Sequence, residues 1–493
     1  MVLPTRTRHP GVLLAVLLSA QFLAQFDFFV VNVTAPALHR DLGAGPTALE
    51  LIVGGYAFTY AAGMITGGRL GDLVGHRRVF VLGMLAFTVT TLLCGLAANP
   101  AQLVLARLAQ GLAGAVMVPQ VLAVITRVFP ADARAAALGW YGVAGGVGSI
   151  AGQVFGGLLL RADVLGLGWR VVFLVAVPVG AIAAVLAARL LPSHPDPADR
   201  SPADRSPAEP GRRTRLDLPG ALGVAGSLAL VLVPLAMGRT QGWPAWTWLC
   251  LAATLPVAVL TGRRQRRLSA LGGQPVLELS LFRVPSYTAG LIAGVAFMGY
   301  FASFMFTLTL LLQGGLGLGA LGAGLVFAPM GLLYTTTSLL GARLVARHGR
   351  PVMVFGGCVT AAGLLLLALR LLAAPQSPGL AWVLGALALV GVGNGLVLPQ
   401  LVGAALVGVR PHQAGIGAGM LTTTQQFAGS AGVALIGALF FAVAGDAPTG
   451  TDYAAAMTCS ALVDLALILV VVTLVAVTRR ASRRAAPHPV SPR

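Results

Sequence analysis

The feature that most constrains this chain is a succession of apolar runs, each about as long as a bilayer is thick. A helix rises about 1.5 Å per residue, so about 20 apolar residues cross the hydrocarbon core. Because that core offers no water to unpaired backbone groups, runs of this length predict helices. We predict fourteen transmembrane helices, at 11–33, 48–67, 79–98, 102–126, 136–160, 169–191, 219–238, 246–262, 287–312, 319–340, 351–373, 380–404, 414–443 and 454–478.

The composition indicates a polytopic membrane protein and argues against several other classes. Of the 493 residues 57% are hydrophobic and 10% are charged, and the mean hydropathy is +0.86. All 33 basic residues are arginine, so the chain lacks the lysine of a Walker A phosphate loop and of Schiff-base chemistry. We therefore expect no ATP site, no cofactor and no enzymatic activity. Four isolated cysteines give no metal-ligand spacing, so we expect no metal either.

The arginines are distributed unevenly across the predicted membrane. Loops, span ends and tails on the side of the N-terminus hold 27 of them, the loops and span ends on the opposite side hold five, and Arg107 lies inside a span, away from its ends. The positive-inside rule then places both termini in the cytoplasm. This distribution accounts for the net charge of +18 without any nucleic acid. The segment 192–218, rich in proline, aspartate and arginine, is predicted to be a flexible cytoplasmic linker.

A short charged segment separates the second and third spans. It reads GRLGDLVGHRR at 68–78, between two apolar runs. Its glycines permit a tight turn, and its paired arginines mark the cytoplasmic side. An ordinary basic loop is the alternative interpretation. The pattern resembles the signature loop between helices 2 and 3 of the major facilitator superfamily, and that resemblance implies a gating role for Gly68, Asp72, Gly75, Arg77 and Arg78.

A degenerate second copy of this loop, GARLVARHGR at 341–350, lies between spans ten and eleven. The resemblance and the repeat together predict an all-α polytopic membrane protein of the major facilitator fold, with two six-helix bundles and two extra helices inserted between them. In chain order we expect an N-terminal bundle at 1–191, the linker at 192–218, two inserted helices and a basic loop at 219–284, a C-terminal bundle at 285–478 and a basic cytoplasmic tail at 479–493.

The first span contains an acid at membrane depth. An ionisable residue there costs several kcal/mol unless it faces a cavity or a partner, so Asp27 is a candidate functional residue. A structural carboxyl bonded to neighbouring helices is the alternative. The stretch DFFVVNVTAP at 27–36 resembles the helix-1 motif of the fourteen-helix drug:proton antiporters, with Phe29 in place of threonine. The resemblance implies that Asp27 takes part in proton coupling.

A second polar face follows the same helix. With about 100° between successive residues, Gln21, Gln25 and Asn32 share one stripe and Asp27 lies on another. A helix with two polar faces cannot present both to lipid, so protein or water must line it on two sides. We expect Gln21, Gln25 and Asn32 to bind substrate.

The fourth span contains a buried base. Arg107, Gln110 and Gly111 fall on one face of the helix in the stretch LVLARLAQGLAG at 103–114. A buried guanidinium needs an acid partner, and Asp27 is the best placed in the first half. The face resembles the helix-4 motif R-x-x-Q-G, which implies proton transfer at Arg107. A purely structural ion pair is the alternative.

The fifth span is rich in glycine. Its stretch GSIAGQVFGG at 148–157 resembles the antiporter motif G-x-x-x-G-P-x-x-G-G, with Gln153 in place of proline. The motif residues are Gly148, Gly152, Gln153, Gly156 and Gly157. Because the family associates this motif with exporters, the missing proline leaves both directions of transport open. Close packing of small residues is the alternative explanation.

The second half contains two further candidates. Asp464, in the last span, is a second intramembrane acid, which we assign to proton coupling. Asn394 lies among glycines in span twelve and is a candidate substrate contact, although helix packing is the commoner role.

These patterns predict a monomeric secondary transporter that exports amphipathic drugs or other small molecules across the lipid bilayer in exchange for protons, by alternating access. Within transport, the alternatives are a dedicated natural-product exporter or an importer. From another class, they are a non-transporting membrane sensor or a channel. No loop is long or apolar enough for a sensor domain, and no filter loop or ring of like charge indicates a channel.

Overall fold

The computed structural model describes residues 10–191, 217–238, 241–271, 273, 277–376, 379–406, 409, 411–445 and 448–484. The described chain is helical, and this confirms the prediction of an all-α protein. The helices are α1 (Pro10–Leu42), α2 (Pro46–Val74), α3 (His76–Gly95), α4 (Pro100–Val128), α5 (Ala131–Ala162), α6 (Val171–Leu174), α7 (Ala176–Leu190), α8 (Leu218–Met237), α9 (Ala245–Ala270), α10 (Pro285–Leu310), α11 (Ala320–His348), α12 (Pro351–Ala373), α13 (Leu380–Leu406), α14 (Pro411–Ala444) and α15 (Gly450–Arg484).

Four short elements complete the described chain, the first of which is a 3₁₀ turn at Val164–Gly166. A 3₁₀ turn, Gly168–Arg170, precedes α6 and α7, and the three together make one apolar segment over Gly168–Leu190. A 3₁₀ turn, Leu279–Arg283, precedes α10, and a π turn, Leu311–Gly315, extends α10 at its other end. Most of the predicted linker lies outside the described residues, and α15 continues to Arg484, into the segment predicted to be a tail. No proline occurs between 479 and 484 to end the helix.

Twelve helices of the described chain are long and apolar enough to cross a membrane. Two of the fourteen predicted spans are absent from this set. One corresponds to α2, whose sequence includes Glu50, Arg69 and Asp72, and the other to α8, where the apolar stretch Pro219–Val231 is shorter. The structure therefore confirms a multi-pass helical membrane protein.

The described chain forms two compact units. Unit 1 comprises Met1–Gly152 and Leu159–Leu277, and unit 2 comprises Gln153–Leu158 and Glu278–Arg493. In unit 1, α4 packs against α1, α2 and α3, while α7 packs against α1 and α3. Helices α8 and α9 pack against each other, and α8 also contacts α2. Buried aromatic and methionine side chains fill the core of unit 1, among them Tyr56, Phe80, Phe87 and Met117.

Unit 2 repeats this arrangement with different residues. There α13 packs against α10, α11 and α12, while α15 packs against α10 and α12. The two copies of the charged segment each contain one glycine with positive φ. Gly75, at 101°, is the one residue between α2 and α3, and Gly349, at 70°, lies with Arg350 between α11 and α12. Residues other than glycine rarely adopt this conformation, so a side chain at either position would strain the backbone.

Candidate functional site

Asp27 lies in the middle of α1 and is completely buried. Neither carboxylate oxygen has a hydrogen-bond partner. Gln110 and Arg107 face the carboxylate from α4, but no hydrogen bond or ion pair within 4 Å joins them to it. The structure therefore brings the predicted acid and base into one cluster without the direct ion pair that the sequence led us to expect.

Arg107 is also completely buried, and neutral groups hold its guanidinium. Its Nε donates to the carbonyl oxygen of Ile52 at 3.1 Å, and its Nη1 donates to Oε1 of Gln110 at 2.6 Å. The guanidinium carbon lies 4.4 Å from the ring centroid of Tyr56, a cation–π contact. Its Nη2 has no hydrogen-bond partner, so the cation retains one free donor in the interior.

Gln110 connects this cluster to α3. Its Nε2 donates to Oγ1 of Thr91 at 2.6 Å, and its Oε1 also accepts from Sγ of Cys94 at 3.7 Å. Gly111 permits the close crossing of α2 and α4, because a Cβ there would collide with the carbonyl oxygen of Tyr56. Sequence reasoning missed Tyr56 and Thr91, which lie in other helices and carry no motif.

The predicted substrate face of α1 contains side-chain oxygens that form no hydrogen bond. Gln21 and Asn32 are buried, and Oε1 of Gln21 and Oδ1 of Asn32 have no hydrogen-bond partner. Gln25 is half-buried. Buried polar atoms are nearly always satisfied, so two orphaned acceptors on one helix are consistent with a ligand that donates hydrogen bonds.

The glycines of α5 permit a close crossing with α1. A Cβ added at Gly148 would lie 2.6 Å from the carbonyl oxygen of Phe22, and one at Gly152 would lie 2.7 Å from that of Phe26. Contacts this short are essentially never seen, so the crossing requires glycine at both positions.

The rest of the glycine motif falls in the part of α5 that belongs to unit 2. Gly156 is buried, and a Cβ at Gly157 would lie 2.5 Å from the carbonyl oxygen of Ala320 in α11. Gln153, which stands in the place of proline, is buried, and both amide atoms lack a partner.

The charged loop is fixed to α4 by a residue that the sequence analysis missed. Gln120 donates from Nε2 to the carbonyl oxygen of Gly67 at 2.8 Å, and its Oε1 lies 2.7 Å from Nδ1 of His76. Gln120 follows a proline in α4 as Gln400 follows one in α13, and this repeated dipeptide could have identified it.

The predicted gating residues themselves are placed as follows. Gly68 packs near Pro119, Gly75 forms the link with positive φ, Arg77 donates to the carbonyl oxygen of Ala188, and Arg78 is exposed. The side chain of Asp72 lies outside the described part of the structure.

In unit 2, both amide heteroatoms of Asn394 take part in hydrogen bonds. The hydroxyl groups of Tyr300 and Thr360 lie 3.0 and 3.1 Å from its Oδ1, and its Nδ2 donates to the hydroxyl of Tyr300 at 2.8 Å. These bonds join α10, α12 and α13, so Asn394 has a structural role within unit 2. Asp464 is completely buried and accepts one hydrogen bond, from Ser303. Among the described residues, no group of three His, Cys, Asp or Glu side chains could hold a metal ion.

Comparison with known proteins gives concordant matches. The model of the Major Facilitator Superfamily matches residues 17–433. A probable actinorhodin transporter of Streptomyces coelicolor is 36% identical over 89% of this chain and 74% of its own length. The cephamycin export protein CmcT of Amycolatopsis lactamdurans is 33% identical over 88% of this chain and 85% of its own length.

A solved structure covers nearly the same length. The crystal structure of a bacterial homologue of the human lysosomal transporter Spinster superposes with a TM-score of 0.66 over 98% of this chain and 99% of that one. The two sequences are 17% identical, so the likeness concerns the fold.

Proposed function

Since this chain belongs to the Major Facilitator Superfamily and is therefore a membrane transporter of small molecules and not an enzyme, we propose that it exports amphipathic compounds in exchange for protons. The observation that carries the proton coupling is the buried, unbonded carboxyl of Asp27 beside Arg107, an arginine that lies inside a predicted span and not at its end. An ionised carboxylate without donors is costly in a low-dielectric interior, and a bound proton removes that cost. Asp27 is therefore suited to take up and release a proton during transport.

The roles of the neighbouring groups follow from their contacts. Proton binding neutralises Asp27 and removes its attraction for Arg107, which stays held by Ile52, Gln110 and the ring of Tyr56. The electrostatic attraction between Asp27 and Arg107 thus differs between the two protonation states of Asp27. A transporter can use such a difference to favour one conformation over another. Gln110 faces both residues and connects their cluster to α3 through Thr91.

For the substrate site we propose Gln21, Gln25 and Asn32. Oε1 of Gln21 and Oδ1 of Asn32 have no partner within the protein and are able to accept hydrogen bonds. They therefore favour substrates that carry O–H or N–H donors on an apolar body. We do not extend the site to Asn394, because Tyr300 and Thr360 already occupy its amide.

The finer architecture belongs to the same proposal. We propose fourteen spans, with α2 and α8 as the two that fall outside the twelve apolar helices, and a monomer of the plasma membrane with both termini in the cytoplasm. The loop 68–78 acts as a cytoplasmic gate, and the glycine crossing of α5 on α1 as a packing point that can slide. Direction of transport is assigned as export although Gln153 replaces proline, because both relatives carry names of exporters or antibiotic transporters.

A second candidate is a dedicated natural-product exporter. The names of the two relatives refer to single natural products, actinorhodin and cephamycin, and not to mixtures of drugs. A panel of fluorescent amphipathic cations, with ethidium among them, separates the two candidates. Competition by many unrelated compounds indicates a multidrug exporter, while competition by one chemical class indicates a dedicated one.

The test of proton coupling uses Asp27→Asn in proteoliposomes. This change keeps the size of the side chain and removes its proton-binding group. We expect transport driven by a pH gradient to be abolished, while exchange of labelled for unlabelled substrate continues, since exchange needs no net proton movement. Asp163→Asn is the control, because Asp163 is exposed at the end of α5 and asparagine tolerates its left-handed backbone. Gradient-driven transport at the wild-type rate in Asp27→Asn would contradict the assignment.

A further inference from the structure

We propose that Asp464 and Ser303 form a second proton-binding site, located inside unit 2 and independent of Asp27. The inference deepens the proposed function, since it assumes that this transporter exchanges protons. Asp464 lies in α15 and is completely buried. Its Oδ1 accepts from Oγ of Ser303 at 2.9 Å, and its Oδ2 has no hydrogen-bond partner. In the described part of unit 2, no basic side chain forms an ion pair with it.

The hydroxyl of Ser303 has more acceptors around it than it can serve. Its Oγ lies 2.9 Å from Oδ1 of Asp464, 2.7 Å from the carbonyl oxygen of Gly299 and 2.9 Å from that of Tyr300. A hydroxyl has one hydrogen to donate and two lone pairs that accept. Ser303 therefore donates either to the carboxyl group or back to its own helix, and the protonation state of Asp464 decides which.

Each protonation state has its own hydrogen-bond arrangement. When Asp464 is ionised, Ser303 donates to Oδ1, and this is the single hydrogen bond of a buried charge. When a proton from water binds the carboxyl, Asp464 donates to Oγ of Ser303, and Ser303 donates to the carbonyl oxygen of Gly299. Only the second arrangement leaves no buried charge in the apolar interior, so the geometry provides a place for a proton.

This switch is connected to the rest of unit 2. Tyr300 lies one helical turn before Ser303 on α10 and bonds to Asn394 on α13, which in turn bonds to Thr360 on α12. The Asp464–Ser303 pair and the Asn394 network therefore share one turn of α10, and their hydrogen bonds join that turn to α12, α13 and α15. Loading and unloading the proton changes the charge next to this turn.

The charged surroundings of Asp464 are sparse. α15 packs against α10, α12, α14 and the π turn 311–315. Tyr300, on α10, is a titratable group that lies within electrostatic reach of Asp464. The other titratable or charged residues of these elements, and those of α15 itself, are Tyr287, Cys358, Arg370, His412, Asp452, Tyr453, Cys459, Arg479, Arg480, Arg483 and Arg484. Arg370 lies in the last turn of α12, and His412 at the first turn of α14.

Infrared difference spectroscopy during a pH titration tests the site directly, with the full chain in lipid and the proton as the probe. A protonated buried carboxyl gives a carbonyl stretch that is absent from the carboxylate. We expect one such band to be lost in Asp464→Asn. In Ser303→Ala the band persists at a higher frequency, because the carboxyl loses its hydrogen bond. Ser460→Ala is the matched control, since Ser460 is a buried serine of α15 that bonds to the backbone of Ala456.

The outcomes separate this site from the one at Asp27. Retention of every carbonyl band in Asp464→Asn, or a Ser303→Ala spectrum identical to that of the wild type, would overturn the proposal. Should Asp464→Asn fail to fold, Ser303→Ala still decides the matter, because it leaves the carboxyl in place. The Asp27 assignment is tested by the transport assay of Asp27→Asn and not by these spectra. Loss of the carbonyl band in Asp464→Asn supports the second site independently of the result of that assay.

Discussion

At the scale of single residues, Asp217 shows how one carboxylate holds two helices together. It caps α8 by accepting from the backbone N–H of Gly220 at 3.0 Å. It also accepts from Nε2 of Gln265 at 2.6 Å and from Arg264, both near the end of α9. Burial disfavours its charged form, but the hydrogen bonds from Gln265, Gly220 and Arg264 outweigh burial and lower the pKa of Asp217 below its ordinary value.

The lowered pKa of Asp217 determines the direction in which its contribution to folding stability changes with pH. A carboxyl with a lower pKa in the folded state stabilises the fold above its unfolded pKa of about 4, and this contribution is lost as the pH falls through the folded value. We expect Asp217→Ala to lower the melting temperature at pH 7 by the equivalent of about 0.5–2 kcal/mol, the usual cost of a lost helix cap. The difference from the wild type should shrink in acid. Melting curves in detergent measure it, with the exposed Asp41→Ala as control. A constant difference from pH 7 down to acid pH would disprove the ionic role.

At the scale of helices, the crossing of α5 on α1 depends on the absence of side chains. The backbone of α1 itself, at Phe22 and Phe26, occupies the space that a Cβ would need at Gly148 and Gly152. Backbone atoms cannot rotate away as a flexible side chain can, so the two helices must separate to admit even a methyl group. The crossing lies in the helix that holds Asp27, and its geometry therefore also positions the candidate proton site.

Two alanine substitutions in the same helix test this packing. A Cβ at Gly152 would lie 2.7 Å from the carbonyl oxygen of Phe26, whereas one at Gly142 meets nothing within 4 Å. We expect Gly152→Ala to lose about 1–3 kcal/mol of stability through overpacking, and to slow transport. Gly142→Ala should be neutral or slightly stabilising, because alanine favours helix by about 1 kcal/mol. Thermal unfolding and transport rates measure both, and equal effects of the two changes would refute a special role for the crossing.

At the scale of the whole molecule, we propose that the arrangement of charge sets the orientation in the membrane. In the proposed fourteen-span topology, arginines cluster on the side of the N-terminus, and tryptophans cluster on the other side between α8 and α9. There the rings of Trp243 and Trp248 lie with centroids 5.6 Å apart and planes tilted by 35°, and both are exposed, as residues of an interfacial aromatic belt are. Both signals favour a cytoplasmic linker and an external loop before α9.

Single cysteines introduced into a chain without its four native cysteines test this orientation. We expect Ser201→Cys, in the linker, to resist a membrane-impermeant maleimide in intact cells and to react after the membrane is opened. Ala245→Cys, exposed at the start of α9, should react in intact cells. Labelling in the reverse pattern at both positions would require the opposite orientation.

The sequence by itself determined the class of protein, the helical segments and the intramembrane charges, because a length of apolar residues and an isolated acid are local properties. It identified Asp27, Arg107 and Asp464. It also indicated that the charged segment occurs twice, and in the structure each copy contains a glycine with positive φ, Gly75 and Gly349. Only the tertiary structure decided which polar groups meet, since contacts among Arg107, Tyr56 and Ile52, or between Ser303 and Asp464, join residues far apart in the chain. It also showed that the amide of Asn394 bonds to Tyr300 and Thr360, two partners that the sequence does not reveal.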